Sequence, residues 1–184
     1  MLPIQLVAVG KVDPGLLDYL ALVLPAVVGG PCTVARNGID PREAFDARRQ
    51  QFHTTPLLAR LADLPVSRGA RTLGVADVDL FIPILTYVFG EAQVDGRAAL
   101  FSVTRLRQEF YGLPQNEILF HERCEKEALH ELGHTFGLIH CPLYACVMHY
   151  SNSIEEVDVK GASWCPNCAE KSRGDLVSRE RLNQ

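Results

Sequence analysis

The sequence predicts an α/β fold built on one mixed sheet. Three observations carry this. Apolar runs of strand type alternate with amphipathic helical stretches from Ile4 to Leu80, the rhythm of strands joined by crossover helices. Asp95-Gly96, a favoured two-residue turn, separates Tyr87 to Val94 from Arg97 to Val103 and marks a hairpin. A longer helical stretch then runs from about Ile118 to Gly137.

Taken in order, Ile4 to Val9 reads as the first strand. Pro14 opens an amphipathic helix with Leu16, Leu17, Leu20, Leu22 and Val23, and Gly29-Gly30 closes it. Cys32 to Val34 starts a second strand. Asp40-Pro41 is a capping acid followed by proline, so a helix is expected over Ala44, Phe45, Ala47 and Phe52. Thr55-Pro56 repeats that signal for a short helix through Leu61. Thr72 to Leu80 alternates like a third strand. The chain after Gly137 reads as irregular and cysteine-bearing, with a terminal helix after Cys168.

With 184 residues, 47% of them hydrophobic and 22% charged, the chain is read as a single domain, 1–184. The net charge of −4 gives no basic excess for nucleic acid or an anionic membrane. The longest apolar tract, Leu16 to Val28, is interrupted by Asp18 and Pro25, so no membrane span is expected. The N-terminus lacks the basic region and long apolar core of a signal peptide. A cytoplasmic location is therefore expected, and a monomer is taken as the default state. In that compartment six cysteines are thiols or metal ligands rather than a disulfide framework.

The chemistry is concentrated in one stretch, His130-Glu131-Leu132-Gly133-His134-Thr135-Phe136-Gly137-Leu138-Ile139-His140. Helical residues four apart share a face, so His130 and His134 can reach one ion. Glu131 sits beside them, where it can act on a water bound to that ion. Gly137 tolerates positive φ, so it can end the helix and bring His140 to the ion from the far side. Three imidazoles and one open position form a catalytic zinc pattern. Met148 follows His140 by eight residues and fits an apolar base under such a site; a Met alone would be a gap filler.

Cys141 and Cys146 lie near Cys165-Pro166-Asn167-Cys168 in sequence. Four thiolates suit a closed tetrahedral structural zinc. A CxxC alone can also be a redox pair, which leaves a thiol–disulfide oxidoreductase open as a rival reading. Cys32 and Cys124 have no such neighbours and read as apolar filler.

These residues resemble the archaemetzincin family. The resemblance is carried by HELGHTFGLIHC with its cysteine directly after the third histidine, by the spacing to Cys146 and Met148, and by the distal CxxC. DVDLFIPILTYVFGEA followed by ALFSVTRL extends it over most of the chain. It implies a metzincin-like, mainly parallel sheet with an antiparallel edge strand, packed on an active-site helix. An upper lobe, 1–137, would face a small zinc-stabilised lower lobe, 138–184, across a cleft. It implies two zinc ions, one catalytic on His130, His134 and His140, one structural on Cys141, Cys146, Cys165 and Cys168. The implied activity is hydrolysis of peptides or proteins, aminopeptidase-like or on short peptides, with Glu131 as general base. The edge strand, here Tyr87 to Val94, would pair with extended substrate. Tyr150 is similar in position to the tyrosine after the Met-turn in the astacin and serralysin branches, which implies an oxyanion donor; the rival reading is a packing residue. A zinc-dependent peptide-binding module without catalysis is the alternative function, and the intact Glu131 argues against it.

Overall fold

The computed structural model describes residues 2–67 and 69–172. A five-stranded sheet has the order β2-β1-β5-β8-β7, from β1 (Ile4–Val9), β2 (Cys32–Val34), β5 (Arg71–Ala76), β7 (Gly90–Ala92) and β8 (Ala98–Ser102). The pairs β1–β2, β1–β5 and β5–β8 are parallel; β7 pairs antiparallel with β8 and forms one edge. The mixed, mainly parallel sheet with an antiparallel edge is as expected.

Side chains alternate between two cores. Leu6, Leu73, Ala99 and Phe101 face a core shared with α1 (Pro14–Val23) and α4 (Glu117–Thr135). Val7, Val9, Ala98 and Leu100 face a second core under α3 (Thr54–Ala62). All of β5 and β8 is buried, which is why, after Arg71 at the start of β5, their residues are apolar or small rather than alternating with charged ones. Gly74 lets α3 come close, since a Cβ there would lie 2.5 Å from Leu61 Cδ1.

Three expected elements differ. The Asp40-Pro41 signal produces only a 3-10 turn, Arg42–Ala44, followed by β3 (Phe45–Asp46) and β4 (Gln51–His53). These pair with each other, and β4 pairs with β6 (Leu80–Phe81), making a small second sheet. Asp46 accepts backbone N–H bonds from Arg48 and Arg49, and this local turn outcompetes helix. The third expected strand, Thr72 to Leu80, splits into β5 and β6. The hairpin strand is also shorter than Tyr87 to Val94, because only Gly90–Ala92 is laddered.

Helix α4 is capped by Asn116, whose side chain accepts from Leu119 N at 3.1 Å, a contact worth ~1 kcal/mol. At its other end Gly137 has φ +82°. Gly137 N–H donates to His134 O at 2.9 Å and Leu138 N–H to Gly133 O at 3.1 Å, so the glycine satisfies two orphan carbonyls while it turns the chain. The following segment includes the short helix α5 (Ile154–Val159) and a helix at 166–172, within which Cys168 falls. A four-residue α2 (Pro25–Val28) extends the first helical region. Val147, Met148, Ile154 and Val157 join the same core as α4. Among the described residues no helix is long and apolar enough to cross a membrane.

Candidate metal centre and cleft

His130, His134 and His140 bring their ligand nitrogens within 4.8 Å of one another. His130 Nδ1 lies 2.8 Å from Val147 O, and His134 Nδ1 lies 2.8 Å from Leu138 O. A carbonyl only accepts, so each Nδ1 carries the hydrogen. The two Nε2 atoms then face each other with lone pairs at 3.2 Å. That approach calls for a cation between them. Tetrahedral zinc with Zn–N near ~2.0–2.1 Å would hold two nitrogens roughly 3.3 Å apart, so the donor set fits. Burial lowers the pKa of all three rings, which keeps them neutral and ligand-competent. His149 is directed elsewhere, with Nδ1 at 2.9 Å from Cys141 O.

Glu131 is 5% exposed, and burial, with Glu127 nearby, raises its carboxyl well above the ordinary range. It lines a cleft of about 400 Å³ between β7 and the segment after Met148. Met148 sits under the histidines because Gly133 leaves room; a Cβ at 133 would lie 2.3 Å from its sulfur. Tyr150 is 42% exposed, lines the same cleft, and its ring centroid is 4.9 Å from that of His140.

The rim of the cleft is the open edge of β7. Ser102 N–H donates to Phe89 O at 2.8 Å and Gln93 N–H to Ala98 O at 3.0 Å. Alternate residues therefore point their backbone groups at β8, and those of Gly90 and Ala92 point outward. The side chain of Glu91 goes to the opposite face, where its carboxylate accepts from Thr54 Oγ1 at the start of α3.

Cys141, Cys146, Cys165 and Cys168 also converge, with sulfurs within 4.8 Å of one another. The Cys141–Cys165 sulfur separation is 3.9 Å, far beyond an S–S bond and close to the roughly 3.8 Å expected around tetrahedral zinc. The Cys168 N–H is the main cause of a Cys165 pKa lowered to about 7, which favours thiolate. Cys124 is fully buried in the core, and Cys32 is half-buried on β2.

Sequence reasoning missed two cleft residues. Glu127 and Lys160 form a buried ion pair at 2.7 Å and line the cavity. Glu127 lay one turn before Glu131 and was detectable by helical spacing; Lys160 carried no signal.

Residues 46–173 match the model of peptidase family M54. The chain belongs to this family, the archaemetzincins. An archaemetzincin of Methanocaldococcus jannaschii is 41% identical over 172 residues, covering 92% of this chain and 93% of that protein. The crystal structure of archaemetzincin from Methanopyrus kandleri superposes with a TM-score of 0.83 at 35% identity, covering 95% of each chain. A zinc-dependent peptidase from Methanocorpusculum labreanum has the same TM-score at 30% identity and covers 92% of this chain and 99% of that one. The M54 membership makes this protein a zinc metallopeptidase.

Proposed function

We propose that this M54 peptidase hydrolyses peptides at the cluster of His130, His134 and His140, with Glu131 as general base. The observation that carries this is the pair of facing Nε2 lone pairs directly beside a buried carboxylate on the cleft. Zinc, when held there, supplies a polarising charge for the scissile carbonyl and lowers the pKa of water towards ~7.

The protein's own groups do the rest. Glu131 takes the proton of the attacking water and returns it to the leaving amine. Its high proton affinity after burial suits the second transfer. The outward N–H and C=O groups of Gly90 and Ala92 hold an extended peptide along the rim. Tyr150, ringed against His140 and open to the cleft, donates its hydroxyl to the oxyanion that forms on the substrate. A neutral phenol suits that role.

The four cysteines hold a second, structural zinc, giving two ions per chain. Their convergence favours this over redox chemistry, since every thiol of the CxxC faces the other pair. The chain then acts as one catalytic domain with the cleft between residues 1–137 and the segment after Gly137. Aminopeptidase-like action is the reading implied by family resemblance alone. It gains nothing from Glu91, which is engaged by Thr54 on the far face of the sheet.

The test is a peptide-library digest read by mass spectrometry, with wild type beside Glu131→Ala. Cleavage products are expected from wild type and not from the variant.

A further inference from the structure

We infer that the four-cysteine cluster is a positioning device for the histidine site: through Val147 and Cys141 it orients His130 and His140, so the histidines' affinity for zinc depends on whether the cysteine site is filled. This rests on the two-zinc reading above and adds to it a coupling between the sites.

A histidine ligand keeps its ring facing an ion when its second nitrogen is held, and the group that holds it sets the orientation. For His130 that group is Val147 O, 2.8 Å from Nδ1. Both neighbours of Val147 are tied to cysteines. Cys146 precedes it, and the Cys146 sulfur accepts the backbone N–H of Cys165 at 3.3 Å. Met148 follows it, and Met148 O accepts the backbone N–H of Cys141 at 2.9 Å. The Val147 N–H itself donates to Ser163 O at 3.0 Å, two residues before Cys165. The carbonyl that aims His130 is therefore fixed from both halves of the cluster.

His140 is joined more directly, since Cys141 is the next residue. Trp164, beside Cys165, brings its indole to α4 at Gly133, where a Cβ would lie 3.1 Å from Nε1. His134 differs. Its Nδ1 lies 2.8 Å from Leu138 O, and Leu138 N–H donates to Gly133 O at 3.1 Å in the turn that ends the helix. That anchor belongs to α4 and its own end, so His134 is an internal control.

Four sulfurs within 4.8 Å of one another stay together as thiolates only around a cation. The rest of the segment has other anchors. Arg123 donates to both carboxylate oxygens of Asp158 at 2.7 Å, and Lys126 Nζ donates to Asp158 O at 2.8 Å. The Tyr87 hydroxyl donates to Asn152 O at 2.6 Å. These contacts keep α5 on α4, so emptying the cysteine site loosens residues 141–149 and 163–165 rather than the whole segment.

The test uses the full chain in zinc buffers, with two readouts independent of turnover. Zinc per chain against free zinc gives the affinity of the histidine site. Proton NMR follows the Nδ1–H signals of His130 and His134. Cys165→Ser should hold one zinc, and filling the histidines should need about tenfold or more free zinc, the usual cost of loosening a group that orients a ligand. At saturating zinc its His130 Nδ1–H signal should broaden into exchange with water while that of His134 persists. Cys165→His restores four ligands and should recover both affinity and signal. Wild type with cadmium on the cysteines needs no variant, so a poorly folding Cys165→Ser does not spoil the test. Thiolates favour the softer ion, and its larger size spreads the sulfurs. The His130 signal should then shift and that of His134 stay. Two zinc ions on Cys165→Ser would overturn the four-cysteine reading and this inference with it. One ion held at unchanged affinity, or a His130 signal indifferent to cadmium, would overturn the inference alone.

Discussion

Gly90 of the edge strand and Glu131 of the central helix touch so closely that no side chain fits between them. A Cβ on residue 90 would lie 2.6 Å from Glu131 Oε1 and equally 2.6 Å from Leu100 O. The rim that is to hold substrate and the proposed base are thus positioned by one absent methyl group.

Gly90→Ala should therefore damage catalysis first. The added carbon must push Glu131 aside, and a displacement of the order of an ångström costs about 10²-fold in turnover. Folding should lose only ~1–3 kcal/mol, as for overpacking elsewhere. Kinetics and denaturant melts on the same preparation check this, with zinc content expected to stay constant.

The same contact decides how rim binding has to be tested. Proline at position 90 would collide with Glu131 as well as remove an N–H, so its effects would be mixed. Ala92 also points its backbone N–H outward, and Ala92→Pro deletes that donor while leaving the Phe89–Ser102 bond to β8 in place. Peptide affinity should fall more than stability. Equal losses in calorimetry and in thermal melts would make β7 a plain structural edge.

Tyr150→Phe keeps the ring beside His140 and removes only the hydroxyl. If that hydroxyl serves the oxyanion, kcat should drop about tenfold or more, with KM and zinc content little changed. A shift in Tm without a change in kcat would assign Tyr150 to packing.

Cys165→Ser addresses the second cluster. Between Ser151 and Trp164 only Ile154 and Val157 are buried apolar residues, so the segment has little core of its own. Metal binding would supply much of its folding energy. Zinc per chain should fall from two towards one, with a lower Tm. Unchanged metal content and Tm would contradict a structural zinc.

The convergence of the three histidines was legible because its geometry is local. Helical spacing puts His130 and His134 on one face, and a single glycine returns His140 to them. The four cysteines were legible by type and proximity. The parallel core strands were legible because burial on both faces makes β8, and β5 after Arg71, apolar or small. Residues 40–53 were misread because Asp40-Pro41 is a helix start whatever follows it. What followed was the Phe45–Phe52 cross-strand contact, with ring centroids 5.0 Å apart, and an Asp46-centred turn. The Glu127–Lys160 pair and the Tyr87–Asn152 bridge join residues 33 and 65 positions apart. No periodicity or motif connects such positions; only the fold does.

If Glu131, beside the His130–His134–His140 cluster, serves as the base for peptide hydrolysis, its carboxylate is indispensable to turnover. The most direct measurement is the mass-spectrometric digest of a peptide library by zinc-loaded wild type and by Glu131→Ala, with metal content determined for both. Products are expected from wild type, with loss of nearly all of them in the variant and the same zinc content in each. Equal cleavage by the two proteins, at equal metal content, would contradict it.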